Sequence, residues 1–193
     1  MTTLKFIRAT KDSDLLLLGI FEEGETARYT VSSETLEAIG SPAVGDLLDQ
    51  GQTSAIKYAD ELYRARKKAL SLLAFADNNK RTLGMKLSRA GFCRDIVEEV
   101  CREMLSLGYI NERRQLERLI LVEANQKLRG PGRIIPALVA KGFSSSDVSE
   151  VMRSLISSGE IDFAENAERL LEKKLPADGE ERKKLLYKNG YKI

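Results

Sequence analysis

One stretch of this chain is written twice. Residues 83–110 read LGMKLSRAGFCRDIVEEVCREMLSLGYI and residues 134–161 read IIPALVAKGFSSSDVSEVMRSLISSGEI. The shift of 51 positions that carries Gly91-Phe92 onto Gly142-Phe143 also carries Leu87 onto Leu138, Val97 onto Val148 and Val100 onto Val151. At the same shift Cys101 falls on Met152, Met104 on Leu155, Gly108 on Gly159 and Ile110 on Ile161. Agreement of both glycines and most apolar positions at one offset makes this an internal repeat, and a period of a few tens of residues marks stacked helical units. Units that touch only their neighbours are expected to form a curved, elongated array with a concave face.

Each unit reads as helix, short helix, helix. Ile56, Ala59, Leu62, Ala69, Leu70, Leu73 and Ala76 recur at threes and fours, which predicts a helix from Ala55 to about Ala76. Asp77-Asn78-Asn79 ends it. A short helix then carries Leu83, Met85 and Leu87 and stops at Gly91, a left-handed C-cap, with Phe92 as its apolar lock. The next helix, from about Arg94, buries Ile96, Val97, Val100, Cys101, Met104 and Leu105 and ends at Gly108. Asn111 caps a helix through about Leu128 with Leu116, Leu119, Ile120 and Val122 on its face. Gly130-Pro131-Gly132 breaks it, and a short helix from about Gly132 to Lys141 places Pro136 near its first turn. Ser144, with Asp147 three residues on, starts a helix burying Val148, Val151, Met152, Leu155 and Ile156. In a third unit Phe163, Ala167, Leu170, Leu171 and Leu175 make one helix. Residues 176–179 turn, residues 180–187 make another helix, and Gly190-Tyr191 stands where the earlier Gly-Phe pairs stood. The chain stops two residues later, so the third unit reads as truncated.

The N-terminal part differs. Residues 4–7, 15–21 and 26–31 read as three short strands, with turn chemistry at residues 11–14 and 22–25. Ser32 or Ser33 caps a short helix carrying Leu36 and Ile39, which Gly40-Ser41-Pro42 stops. Val44, Leu47 and Leu48 read as another turn of helix, and Gly51-Gln52-Thr53-Ser54 as a break before the array. The expected fold is therefore mostly α. Tandem three-helix repeats, two complete and a third truncated, follow a small N-terminal antiparallel β subdomain. The divisions fall at residues 1–53, 54–110, 111–161 and 162–193. The β piece is expected to cap the apolar end of the first unit.

What the chain lacks narrows its chemistry. It has 0 histidines and 2 cysteines, which removes the commonest general base and any ordinary zinc set. Cys93 and Cys101 on one helix stand roughly 12 Å apart along the axis, too far for a disulfide. No nucleophile–base pair is evident, so the reading is of a protein that is not an enzyme and takes no cofactor or metal. Without an apolar run of membrane-spanning length or a signal-peptide core, it is expected to be a cytoplasmic monomer with no membrane contact. The net charge of +2 conceals an asymmetry: residues 1–60 carry 5 Lys/Arg against 10 Asp/Glu, and the remainder carries 26 against 19. The basic part points to an anionic partner. The candidate contact residues are Arg64, Lys67, Lys68, Lys80, Arg81, Lys86 and Arg89 on the first unit. Lys127, Arg129, Arg133 and Lys141 follow on the second, and Lys183 and Lys184, with Lys173, Lys174, Lys188 and Lys192, on the third. Aromatic residues are sparse among them, which speaks against base stacking. The loop Gly130-Pro131-Gly132-Arg133 lacks the Lys-Ser/Thr ending of a phosphate cradle and reads as a helix break.

Three segments carry a family resemblance. They are Ala69-Leu70-Ser71-Leu72-Leu73 with Leu83, Lys86-Leu87 and Gly91-Phe92; then Leu105 with Gly108-Tyr109-Ile110; then Gly130-Pro131, Arg133-Ile134, Leu138 and Lys141-Gly142-Phe143. Over about residues 60–190 the chain resembles the RecX family, regulators of the bacterial RecA recombinase, and its β-rich start resembles an extension of Gram-positive members. Where that family carries two aspartates and an aromatic after the tyrosine junction, this chain has Asn111-Glu112-Arg113-Arg114-Gln115-Leu116. The resemblance implies a regulator in recombination and DNA repair. Such a protein lodges along the RecA–DNA filament and limits its ATP hydrolysis and strand exchange. The residues alone leave two other readings open. One is a module that binds single- or double-stranded DNA directly through a basic helical face, and the other is a helical adaptor that binds neither.

Overall fold

The computed structural model describes residues 1–12 and 14–192. The chain divides into two units, Met1–Ala74 with Lys86–Glu103, and Phe75–Met85 with the chain from Met104 on. The division falls within three helices, at the last residue of α2 (Gln50–Phe75) and inside α3 (Lys80–Arg89) and α4 (Arg94–Ser106).

The first unit is built on an antiparallel sheet. Strands β1 (Thr2–Ala9), β2 (Leu15–Glu22), β3 (Glu25–Ser32) and β4 (Leu47–Leu48) lie in the order β3-β2-β1-β4. Glu23 and Gly24, at φ 54° and 92°, join β2 to β3 in the doubly left-handed turn that suits strand twist. The turn expected at residues 11–14 includes Ser13, which lies outside the described residues. Leu4, Leu18, Ile20, Val31 and Leu48 share one core with Ile56 of the following helix. Helix α1 (Ser33–Ala38) is capped by Ser32, whose hydroxyl accepts from the Thr35 amide.

Two expectations fail here. Leu47 and Leu48 are not helical but pair with Thr3 and Thr2 as a fourth strand. Residues 51–54 do not break the chain, because α2 runs from Gln50 to Phe75. Asp49 Oδ1 accepts from the Gln52 amide at 2.7 Å, and Gln52 Oε1 accepts from the Asp49 amide at 3.0 Å. This reciprocal capping box supplies two partners to the first turn and outweighs the cost of about 1 kcal/mol for Gly51 inside a helix. Within this unit α4 packs on α2: Tyr58 Oη donates to Glu99, Arg66 Nε donates to Glu103, and the Cys93 amide donates to Glu61. The hydrogen bond to Glu99, aided by burial, pushes the Tyr58 phenol up to about 12. Cys93 is exposed and Cys101 buried, and no disulfide joins them.

The second unit is helical. It contains α5 (Glu112–Leu121), one π turn (Val122–Gln126), α6 (Pro131–Ala140), α7 (Ser145–Ser157), α8 (Phe163–Lys174) and α9 (Gly179–Lys188). Side-chain oxygens of Asn111, Ser144, Asp162 and Asp178 cap α5, α7, α8 and α9. Leu116, Ile120, Ile134, Leu138, Phe143, Val148, Val151, Met152 and Leu155 form the core, so α7 lies on α5 and α6 as the repeat predicts. Gly91, Gly142 and Gly190 all take left-handed φ, at 93°, 101° and 86°, so the third copy is visible in the backbone.

Three side-chain expectations are corrected. Ile156 is 45% and Leu175 82% exposed, since α7 turns Ile156 outward and α8 ends at Leu175 in a left-handed cap. Pro136 lies in the middle of α6, because Pro131 itself is the first helical residue.

Candidate functional site

The candidate cations divide between those held by the fold and those offered outward. On α2, Arg64, Lys67 and Lys68 stand at helical neighbour spacing and share a face. Arg64 is tied down: its Nε donates to Asp60 Oδ2 at 2.7 Å, and buried Asp60 in turn accepts from the Thr30 amide at 2.8 Å. One carboxylate thus satisfies the open edge of β3 and fixes Arg64. Lys67 and Lys68 are exposed, with no ion pair among the described residues. Lys86 and Arg89 are exposed neighbours in the last turn of α3, where positive charge suits the helix dipole.

In the second unit the fold gathers residues that sequence keeps apart. Asn79 Oδ1 accepts from the Thr82 amide, starting α3, while Asn79 Nδ2 donates to the Lys141 carbonyl at 3.0 Å. The Lys80 amide donates to Glu112 at 2.8 Å, and Arg118 pairs with Asp77. The stem of Arg81 lies over Gly142, where a Cβ would come within 2.8 Å of its Cδ. These bonds place Lys80, Arg81 and Lys141 at one joint, although they lie some sixty residues apart in the chain.

Lys127 and Arg129 behave differently. Both pair with Glu123, which is 4% exposed: Lys127 Nζ lies 2.7 Å from Oε1, and Arg129 Nη1 reaches Oε2. Burial pushes the Glu123 carboxyl up, but the Lys127 hydrogen bond and the Arg129 charge outweigh it and hold the group below the usual carboxylate range. The π turn brings this cluster about, and the Arg129 amide closes it on the Glu123 carbonyl. Arg133 is also structural, donating from Nη1 to the Lys188 carbonyl at 2.8 Å. Lys183 and Lys184 are exposed on α9, and Lys184 makes a solvent-facing pair with Glu180 at 3.5 Å. Gly130 and Gly132 form a docking seat, their amides donating to the Asn189 and Gly190 carbonyls at 2.8 and 3.0 Å.

Sequence reasoning missed Asp60 and Glu123 as the anchors of three candidate cations. The signal was present in the four-residue spacings Asp60–Arg64 and Glu123–Lys127. What it does not carry is that both acids are buried. Among the described residues no group of three or more His, Cys, Asp or Glu side chains could hold a metal ion, and no helix is long and apolar enough to cross a membrane. Of the candidate cations, Lys67, Lys68, Lys86 and Arg89 in one unit, and Lys80, Arg81, Lys141, Lys183 and Lys184 in the other, are exposed.

No family model matches the chain. It is 31% identical over 175 residues to the regulatory protein RecX of Clostridioides difficile strain 630, spanning 90% of this chain and 74% of that relative. The RecX of Bacillus cytotoxicus is 24% identical over 152 residues, 79% of this chain and 55% of its own length. Against the RecX of Pseudomonas fluorescens the match is 27% over 125 residues, 65% of this chain and 80% of the relative. A crystal structure of a regulatory protein RecX superposes with a TM-score of 0.72 at 20% identity, covering 100% of this chain and 95% of that one. The RecX of Lactobacillus salivarius superposes with a TM-score of 0.59 at 19% identity, over 70% and 91%. These two likenesses speak for the fold, and the sequence match over nearly the whole chain speaks for descent: the chain belongs to the RecX family of regulatory proteins.

Proposed function

We propose that this protein regulates a RecA-type recombinase in the cytoplasm, binding its filament on DNA and restraining ATP hydrolysis and strand exchange during recombination and repair. The observation that carries the reading is the sequence match to regulatory proteins RecX over most of the chain. Support comes from the outward cations, of which Lys67, Lys68, Arg81, Arg89, Lys141 and Lys183 make no ion pair among the described residues. Such cations meet phosphates or acidic side chains at little desolvation cost. A second reading, direct binding of bare DNA, draws on the same cations.

The test adds the protein to the cognate recombinase on single-stranded DNA and follows ATPase and strand exchange, together with its affinity for bare and for recombinase-coated DNA across salt. Regulation is expected at stoichiometric protein, with the coated DNA bound more tightly. An unchanged ATPase and strand exchange would sink the proposal. Equal affinity for bare DNA, with a salt slope near −0.9 per phosphate contact, would favour the second reading.

A further inference from the structure

Alternate residues of a strand face opposite sides of a sheet, and the two sides of this one differ in chemistry. The inner side is the core, where Leu4, Leu18, Ile20 and Val31 meet Leu36 of α1 and Ile56 of α2. Glu22 faces the same way and pairs with Lys57 of α2. Across β1, β2 and β3 the outer side reads Arg8-Leu17-Thr30 in one row and Phe6-Gly19-Arg28 in the next. No position on the outer side of these three strands is acidic, although residues 1–60 carry 5 Lys/Arg against 10 Asp/Glu. A bulge between Leu4 and Phe6 adds one residue to β1. Lys5 and Phe6 therefore both turn outward, while Leu4 and Ile7 on either side of them both turn into the core. Lys5 Nζ lies over the Phe21 ring, 5.1 Å from its centroid, and the Arg8 guanidinium lies over the Phe6 ring at 4.8 Å. Beneath Arg8 the Phe6 ring rests on Gly19, where a Cβ would fall 2.1 Å from Phe6 Cε1. Lys5, Arg8 and Arg28 are exposed and make no ion pair among the described residues.

We propose that this outer face of the N-terminal sheet binds single-stranded nucleic acid, with a base stacked over the Arg8 guanidinium that Phe6 supports and phosphates on Lys5 and Arg28. The occupant follows from what the face offers. Cations gathered without acids attract a polyanion. A carboxylate-rich peptide would use those cations and leave the rings idle. A bilayer calls for apolar side chains that reach past the charges, whereas here each ring lies under a cation. An apolar segment of the same chain laid on this face would bury three charges without partners, which is costly. Unpaired bases use both features, since they stack on aromatic and guanidinium planes while their phosphates meet the charged heads. Paired bases in a duplex keep those planes hidden. The site lies within the first unit and uses none of the helical cations on which the filament reading draws.

The whole chain, with no recombinase present, is titrated into short fluorescent oligodeoxythymidylate and oligouridylate, and anisotropy is followed across salt. Saturable binding is expected, and the stronger of the two ligands tells DNA from RNA. Phe6→Leu is expected to weaken it about fivefold or more with an unchanged salt slope, because stacking releases no counterion. Arg28→Ala, at an exposed position, is expected to weaken it and to reduce the slope by about 0.7. Absent saturation overturns the proposal, and retention on phosphatidylserine vesicles would then assign the face to a membrane. Binding that ignores both sheet variants but falls in Lys67→Ala with Lys68→Ala also overturns it, since the strand would lie on α2. So does polyglutamate binding as tight as that of the oligonucleotides and indifferent to Phe6→Leu, which would make the partner an acidic protein. Each outcome is read without recombinase, so it stands apart from the filament reading.

Discussion

Glu123 shows how one buried side chain can engage two of the candidate cations. Burying a carboxylate is costly unless it is paired and hydrogen-bonded, and here Lys127 and Arg129 both pair with it from the turn that follows. Removing only the acid leaves two cations facing each other over a partly buried site, and Glu123→Ala is expected to cost about 3 kcal/mol. Its pH dependence has a definite sign. The folded carboxyl titrates lower than an unfolded glutamate, whose pKa is about 4.3, so unfolding in acid takes up a proton. The contribution is full above that range and is lost as pH falls through the lowered folded pKa. Denaturant melts of the protein and of Glu123→Gln should therefore differ at neutral pH and converge in acid. A difference that persists at the lowest pH where the protein folds would assign the effect to shape rather than charge. Asp60 is a second case, since it fixes Arg64 while accepting from Thr30, and Arg64 is thereby an anchor of β3 as much as a surface charge.

Among the elements, α2 is where local chemistry overrides pattern. Its polar first turn contains Gly51 and reads as a break, yet the Asp49–Gln52 box starts the helix there. Asp49→Ala is expected to lower stability by about 1 kcal/mol, read as a lower denaturation midpoint with an unchanged slope. Ser54→Ala, at an exposed position of α2, should be near neutral. What was legible in the sequence has a common cause. Apolar spacing of threes and fours located α3 to α9, and small polar residues before apolar runs marked Asn111 and Ser144 as caps, while the cap at Asp162 emerges only from the structure. Strand β4 was not legible because two residues carry no alternation, and it exists only through pairing with Thr2 and Thr3. The π turn was not legible either: residues 122–126 keep helical composition, and nothing in their order marks the widening that sets Glu123 against Lys127 and Arg129. The candidate surface was legible as a list of charges, but not which of them the fold consumes, since that depends on the burial of Asp60 and Glu123.

At the scale of the whole molecule, the repeat is joined to the next copy by one device used twice. The loop after each short helix sits on the start of the short helix before it. At the earlier joint the Asn79 side chain donates to the Lys141 carbonyl, and Arg81 covers Gly142. At the later joint the Gly130 and Gly132 amides donate to the Asn189 and Gly190 carbonyls. Gly130 corresponds to Asn79 at the repeat offset, so a side-chain contact in one joint becomes a backbone contact in the other. That exchange explains the Gly-Pro-Gly run as a seat for Gly190-Tyr191, whose phenol donates to the Leu128 carbonyl at 3.1 Å. A Cβ at Gly130 would lie 2.5 Å from the Gly190 carbonyl oxygen, which belongs to backbone and cannot rotate away. Gly130 has φ −80°, a value any residue adopts, so a substitution there tests the joint and not the local backbone. Gly130→Ala is expected to destabilise the protein by about 1–3 kcal/mol through overpacking. It should also raise hydrogen exchange and protease cutting in α9 more than in α5. Gly179→Ala, where a Cβ meets nothing within 4 Å, is the control and should be neutral or slightly stabilising. If the two variants melt alike, the later joint carries no stability, and α9 is held by Leu170, Tyr191 and their apolar neighbours alone.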